Sequence, residues 1–161
     1  MTLPPGLATA LEHIAQNLSH VRHPWSIIGS TAVAIYANVP VVVHDIDILT
    51  SCTASGKAVT SALGGKCVHP APSDTFRSDL FSLSQIHDYP VEIMSNLHVR
   101  TGSEWVHVAP DSMISITFGG HNIYIPEKHE LAAMLRLFNR KKDIERIKLL
   151  KQTSNDSQIN T

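Results

Sequence analysis

Val39-Pro40-Val41-Val42-Val43-His44-Asp45-Ile46-Asp47 is the stretch whose reading decides the fold. An apolar run leads into two aspartates one residue apart, and Val41 to Leu49 is expected to be a strand. Side chains of a strand alternate faces, so Asp45 and Asp47 project to one side while Ile46 and Ile48 anchor the other in a core. Two carboxylates on one face repel each other and are costly to keep together unless a cation joins them. A divalent metal is the simplest such cation.

Upstream, Trp25 to Ile28 is a short apolar strand, Gly29-Ser30 a turn, and Ser30 a cap for a helix over Thr31 to Ala37. Glycine at such a turn lets the backbone approach a ligand, and a helix N-terminus favours phosphate. Asn38-Val39-Pro40 breaks this helix from the aspartate strand. Further upstream, Leu7, Leu11, Ile14 and Leu18 have helical spacing, and His23-Pro24 ends that region.

Downstream, Thr50 to Ser55 is loop-like, and Lys57 to Leu63 predicts a helix that Gly64-Gly65 terminates. Lys66 to His69 is a short strand and Pro70 to Ser73 a loop. Leu80 to Ile86 alternates as a strand, Asp88-Tyr89-Pro90 turns, and Val91 to Met94 is a strand carrying Glu92. The segment Gly102 to Val108 reads as a short helix. Met113 to Phe118 and Asn122 to Ile125 flank Gly119-Gly120-His121 as a hairpin. Pro126 opens a helical region with Leu131, Met134, Leu135 and Phe138 on one stripe, and Ile144, Ile147 and Leu150 continue it. From Lys151 the chain reads as a polar tail.

The bulk numbers fit one globular domain. The chain has 161 residues, of which 43% are hydrophobic and 17% charged. A net charge of −1 gives no general electrostatic case for nucleic-acid or membrane binding, although Arg136, Arg140, Lys141 and Lys142 form a local basic patch. No apolar run reaches the ~20 residues that span a membrane, and Met1 to Gly6 lacks the regions of a signal peptide, so the expected location is cytoplasmic. Cys52 and Cys67 match no zinc-ligand spacing and are read as reduced. None of the ten histidines joins a zinc-finger or zincin pattern, and most are expected at the surface.

Glu92, in Tyr89-Pro90-Val91-Glu92-Ile93-Met94, is the third carboxylate if its strand neighbours that of Asp45 and Asp47. Asp79 is its rival, with less strand-like flanks. An hG-S turn, a helix, D-x-D on a strand and a later strand carboxylate together resemble the nucleotidyltransferase superfamily of DNA polymerase beta. The resemblance runs from about Trp25 to Asn96. It implies an α/β (α+β) fold, a mixed twisted sheet flanked by helices with further helices at the C-terminus. It implies a single domain over residues 1–152 and a flexible tail over 153–161. By the same resemblance, in a family whose matching carboxylates hold two divalent metals, Asp45, Asp47 and Glu92 would be catalytic and hold Mg²⁺, with room for two ions and Mn²⁺ as a substitute. Glu92 would help activate the acceptor hydroxyl, and Gly29 and Ser30 would hold the triphosphate.

Ile125-Pro126, Glu130 to Leu135 and Arg140-Lys141-Lys142-Asp143 are similar to the tail of small bacterial nucleotidyltransferase-like proteins, of toxin–antitoxin or antibiotic-modifying type. Lys142 and Arg77 are the further candidate phosphate ligands. Small relatives often carry arginine and threonine just before the aspartate pair, where this chain has Val41-Val42-Val43-His44, with His44 a candidate replacement for the lost polar contact. The resemblance thus implies transfer of a nucleoside monophosphate from a nucleoside triphosphate such as ATP. The acceptor is open among a small molecule, RNA and protein. The alternative is a catalytically weak partner in a toxin–antitoxin pair, bound to another protein or to a second copy.

Overall fold

A computed structural model of the chain describes residues 1–156, with side chains through Thr153. It is a mixed α/β fold. Helix α1 (Leu7–Leu18) buries Leu7, Ala10, Leu11, Ile14, Ala15 and Leu18, the stripe that helical spacing demands. Strand β1 (Trp25–Ile28) runs directly into α2 (Gly29–Tyr36), followed by β2 (Ile46–Thr50) and α3 (Thr53–Ala62). Four strands come next: β3 (Lys66–Cys67), β4 (Phe76–Arg77), β5 (Leu80–Ile86) and β6 (Tyr89–Ser95). Strands β7 (His98–Thr101), β8 (Glu104–His107), β9 (Met113–Phe118) and β10 (His121–Pro126) precede α4 (Lys128–Phe138) and α5 (Lys141–Asp156).

The central sheet has five strands in the order β1-β2-β6-β5-β3. Strand β2 pairs antiparallel with β1 and parallel with β6. Being flanked on both sides, it is buried nearly throughout, with Ile46, Ile48 and Leu49 in the core. A three-stranded sheet, β4-β7-β8, and the β9-β10 hairpin complete the strands. Helix α1 packs on the hairpin, and α4 and α5 pack on α2.

Several expected elements differ. The aspartate strand begins at Ile46 and not at Val41. Val41 and Val43 are buried and Val42 is exposed, so the side chains alternate as in a strand, yet the segment has no ladder. Its neighbours explain this: β1 ends at Ile28, paired with Asp47, and on the other side Pro90, just before the Val91 paired with Ile46, has no N–H to give. Residues 104–107 form strand β8 where a short helix is expected. Gly102, at φ 63, opens a two-residue turn that lets Arg100 face Trp105 across the hairpin.

Helix α3 starts at Thr53, earlier than the sequence suggests, because Ser55 and Cys52 cap it reciprocally. Ser30 lies inside the first turn of α2 and caps nothing. The turn before β6 is His87-Asp88, Pro126 ends β10, and β3 is two residues long. Helix α5 continues past Lys151 to Asp156, where a polar tail is expected, and Thr153 is buried against it with its hydroxyl donating to the Leu150 carbonyl. The remaining tail residues, 157–161, lie outside the described residues. Among the described residues, no helix is long and apolar enough to cross a membrane.

Candidate functional site

The register of three strands assembles the acidic cluster. Asp47 is paired with Ile28 on one side and Glu92 on the other. Parallel pairing of β2 and β6 therefore sets the Asp47 and Glu92 side chains beside each other on one face of the sheet. Asp45 precedes β2, and Thr31 of α2 donates to its backbone carbonyl at 3.4 Å. One oxygen from each of Asp45, Asp47 and Glu92 lies within 4.8 Å of the others, and all three side chains are half-buried. The sequence expectation that Glu92 rather than Asp79 joins the pair agrees with this geometry. The Asp79 carboxylate instead accepts from Asn96 Nδ2 at 2.7 Å.

Crowded anions in a desolvated place hold protons. The Asp47 carboxyl is pushed up to about 7, first by burial, then by the charges of Asp45 and Glu92 and a hydrogen bond with Glu92, while Arg146 pulls it down. Glu92 is also raised, by burial and then by Asp45, with Asp47 and Lys142 acting the other way. The two carboxyls titrate as one pair.

Gly29 explains why the turn before α2 needs glycine. Its φ is +67, and a Cβ there would lie 2.6 Å from Asp47 Oδ2. Any side chain would both strain the backbone and displace the aspartate. Ser30 is buried in the first turn of α2 and does not line the adjoining cavity.

That cavity is about 380 Å³, with Asp45, Asp47 and Glu92 in its wall together with Arg77, Arg140, Lys142 and Arg146. Apolar walls come from Phe76, Phe81 and Phe138. Arg77 and Lys142, expected as phosphate ligands, thus share a cavity with the carboxylates; His44 is exposed and does not line it. Of the expected basic patch, Arg140 and Lys142 face the cavity, whereas Arg136 lies in a separate shallow groove with Arg100.

The sequence reading missed Arg146 and the role of Asp143. Asp143 is fully buried, accepts the backbone N–H of Arg140 at 3.1 Å, and binds the Arg140 guanidinium bidentately at 2.6 and 3.1 Å. Arg146 Nη1 donates to its second oxygen at 3.4 Å. Arg140 also lies over Phe76 and Phe138, 5.2 and 5.5 Å from the ring centroids. The spacing of Arg140, Asp143 and Arg146 at i, i+3, i+6 along one helix edge was the available signal. The pairing with Asp143 fixes the orientation of the Arg140 guanidinium at the cavity wall.

No family model and no curated protein matches the chain. Among solved structures, it is similar to a proposed nucleotidyltransferase from Thermotoga maritima, at 23% identity over 96% of each chain with a TM-score of 0.70. It is similar to ANT(2″)-Ia in complex with adenylyl-2″-tobramycin, at 13% identity over 95% of this chain and 92% of that one, TM-score 0.57. The lincosamide antibiotic adenylyltransferase LnuA, with lincomycin bound, gives 13% identity over 90% and 96%, TM-score 0.57. The chain has the nucleotidyltransferase fold.

Proposed function

We propose that this protein is a metal-dependent nucleotidyltransferase that moves a nucleoside monophosphate from a nucleoside triphosphate onto an acceptor hydroxyl. The observation that carries this reading is the convergence of Asp45, Asp47 and Glu92 on one cavity with four cationic side chains. Carboxylates repel phosphate, so a purely electrostatic triphosphate site would exclude them. Their presence beside the cations makes sense when divalent ions stand between carboxylate and phosphate.

The donor set fits Mg²⁺ or Mn²⁺: every ligand is a hard carboxylate oxygen, and a cation would relieve the burial and mutual repulsion that push Asp47 and Glu92 up. Bound there, divalent ions neutralise the phosphate oxygens and lower the pKa of the attacking hydroxyl. The chain's own residues do the rest. Arg140 and Arg146, fixed by Asp143, and Lys142 and Arg77 balance the triphosphate charge and orient it. Gly29, with no side chain against Asp47, lets the start of α2 come up to the metal-binding carboxylates. Glu92 accepts the proton of the acceptor hydroxyl, while the apolar wall of Phe76, Phe81 and Phe138 excludes water.

A second reading is a catalytically weak member of a toxin–antitoxin type pair. It rests on Val41 and Val43, which are spent on core packing just where small relatives often place polar residues. Calorimetric titration with ATP, GTP, CTP and UTP, with and without Mg²⁺, tests the first reading. It predicts Mg²⁺-dependent binding of at least one triphosphate that Asp45→Ala abolishes. Binding of none, with Asp45→Ala unchanged, overturns it. Tight binding without turnover on any acceptor favours the second reading.

A further inference from the structure

The three-stranded sheet β4-β7-β8 has one face in the core and one in solvent. Phe76, Val99 and Val106 lie in one row across it and pack inward. The alternate residues face outward: Arg77, His98 and His107 form one row, and Arg100 and Trp105 the next. The outward face is therefore made entirely of cationic, imidazole and indole side chains. The one carboxylate within these strands, Glu104, is out of phase with that face, at the end of the hairpin. No ion pair among the described residues involves any of the five.

The side chains are arranged as well as exposed. The Arg77 guanidinium lies over the Trp105 ring, 4.5 Å from its centroid. The His98 and His107 rings are 5.0 Å apart and tilted by 35°, and the Asn96 carbonyl holds His98 Nδ1 at 2.9 Å. Rings and guanidinium groups share a surface that crosses all three strands. Arg77 belongs both to this face and to the wall of the cavity that holds the acidic cluster, so the two are continuous.

We propose that this face is a docking surface for a single-stranded nucleic acid, whose end enters the cavity at Arg77. Unpaired bases stack on aromatic and guanidinium planes, and the backbone needs positive charge, which Arg77 and Arg100 supply; at the edge of the face the Asp79 carboxylate is tied to Asn96 Nδ2. An acidic protein segment would be served by the arginines alone, whereas the base planes of a single strand can also lie against the Arg77–Trp105 pair and the two imidazole rings. The consequence for the reaction rests on the nucleotidyl-transfer reading. The terminal hydroxyl oxygen of the strand forms the bond to the α-phosphorus, and the bond from that phosphorus to the bridging oxygen breaks. Pyrophosphate leaves with the electron pair, and the hydroxyl proton passes to Glu92 and then to water.

The test is a titration of the full chain with a twelve-residue oligoadenylate, as RNA and as DNA, without triphosphate or Mg²⁺. The chain has two tryptophans, and Trp25 is buried, so quenching reports stacking on Trp105. The expected result is salt-sensitive binding with quenching, weakened about tenfold by Trp105→Leu and restored by Trp105→Phe. Arg100→Gln lowers the salt slope by about 0.7. Binding of both nucleic acids, or of RNA alone, supports the proposal. Absence of binding, binding that neither Trp105→Leu nor Arg100→Gln alters, or equally tight binding of polyglutamate overturns it. Asp45→Ala separates this from the reading of the cavity: it abolishes Mg²⁺-triphosphate binding and leaves oligonucleotide binding intact. If wild-type protein binds the oligonucleotide but no triphosphate, the surface stands and the transferase reading falls.

Discussion

Replacing Asp47 by Asn removes one charge from the acidic cluster and keeps the side-chain shape. In the folded protein the Asp47 carboxyl sits at about 7, against 3.8 for an unperturbed group. The fold therefore binds this proton more tightly than the unfolded chain does. Stability from that difference is fully present below about pH 4 and is lost as pH rises through about 7. The interval is about three pH units at ~1.36 kcal/mol each. Solvent reaches the half-buried group and screens it, so we take roughly half, about 2 kcal/mol. At ~2–4 °C per kcal/mol for a chain of this size, metal-free Asp47→Asn should melt roughly 4–8 °C above wild type at pH 8 and level with it near pH 4. Mg²⁺ should reverse the order: at a hundredfold excess over its Kd it adds ~2.7 kcal/mol to the wild type and little to the variant. Differential scanning fluorimetry in EDTA and in Mg²⁺ across pH 4–8 reads both effects. Parallel melting curves for the two proteins, or a variant that melts below wild type at pH 8 in EDTA, would refute the reasoning.

Gly29→Ala should lose about 2 kcal/mol or more in urea unfolding and abolish Mg²⁺-dependent triphosphate binding, because it meets a left-handed backbone and the Asp47 carboxylate together. Asp143→Ala should cost ~3–5 kcal/mol by the same measurement, since it strips the partner from two arginines around a fully buried position. Arg140→Lys should cost only about 1 kcal/mol relative to wild type, because the charge beside Asp143 is kept, yet weaken triphosphate binding about tenfold, because a lysine cannot make the bidentate pair with Asp143. Calorimetry at constant Mg²⁺ checks the last.

The helices and the acidic cluster were legible because their signals are local. The Leu7, Leu11, Ile14 and Leu18 stripe is a one-helix pattern, and it is the stripe that α1 buries. Glu92 stands between apolar residues at strand spacing, and its pairing opposite Asp47 follows from a register that the burial of Ile46, Ile48, Val91 and Ile93 enforces. What failed depends on neighbours. Val41 to Val43 have strand character, but a strand also needs a partner, and β1 turns into α2 before it reaches them. Glu104 to His107 become a strand only because Gly102 folds them back onto β7. Ser30 was read as a cap because Gly-Ser before a helix usually is one; here the glycine carries the turn and the serine lies within the helix. Arg146 escaped notice because the cavity it lines is assembled from elements far apart in sequence, although its i, i+3 spacing from Asp143 was there to be read.

The central claim is that Asp45, Asp47 and Glu92 form a divalent-metal site. Anomalous diffraction from crystals of the protein soaked in Mn²⁺ and a non-hydrolysable triphosphate tests it most directly. The account predicts a manganese peak ~2.0–2.2 Å from carboxylate oxygens of all three residues, with the triphosphate extending from it toward Arg140 and Lys142. A cavity containing triphosphate but no manganese at these carboxylates, or manganese bound only elsewhere, would contradict it.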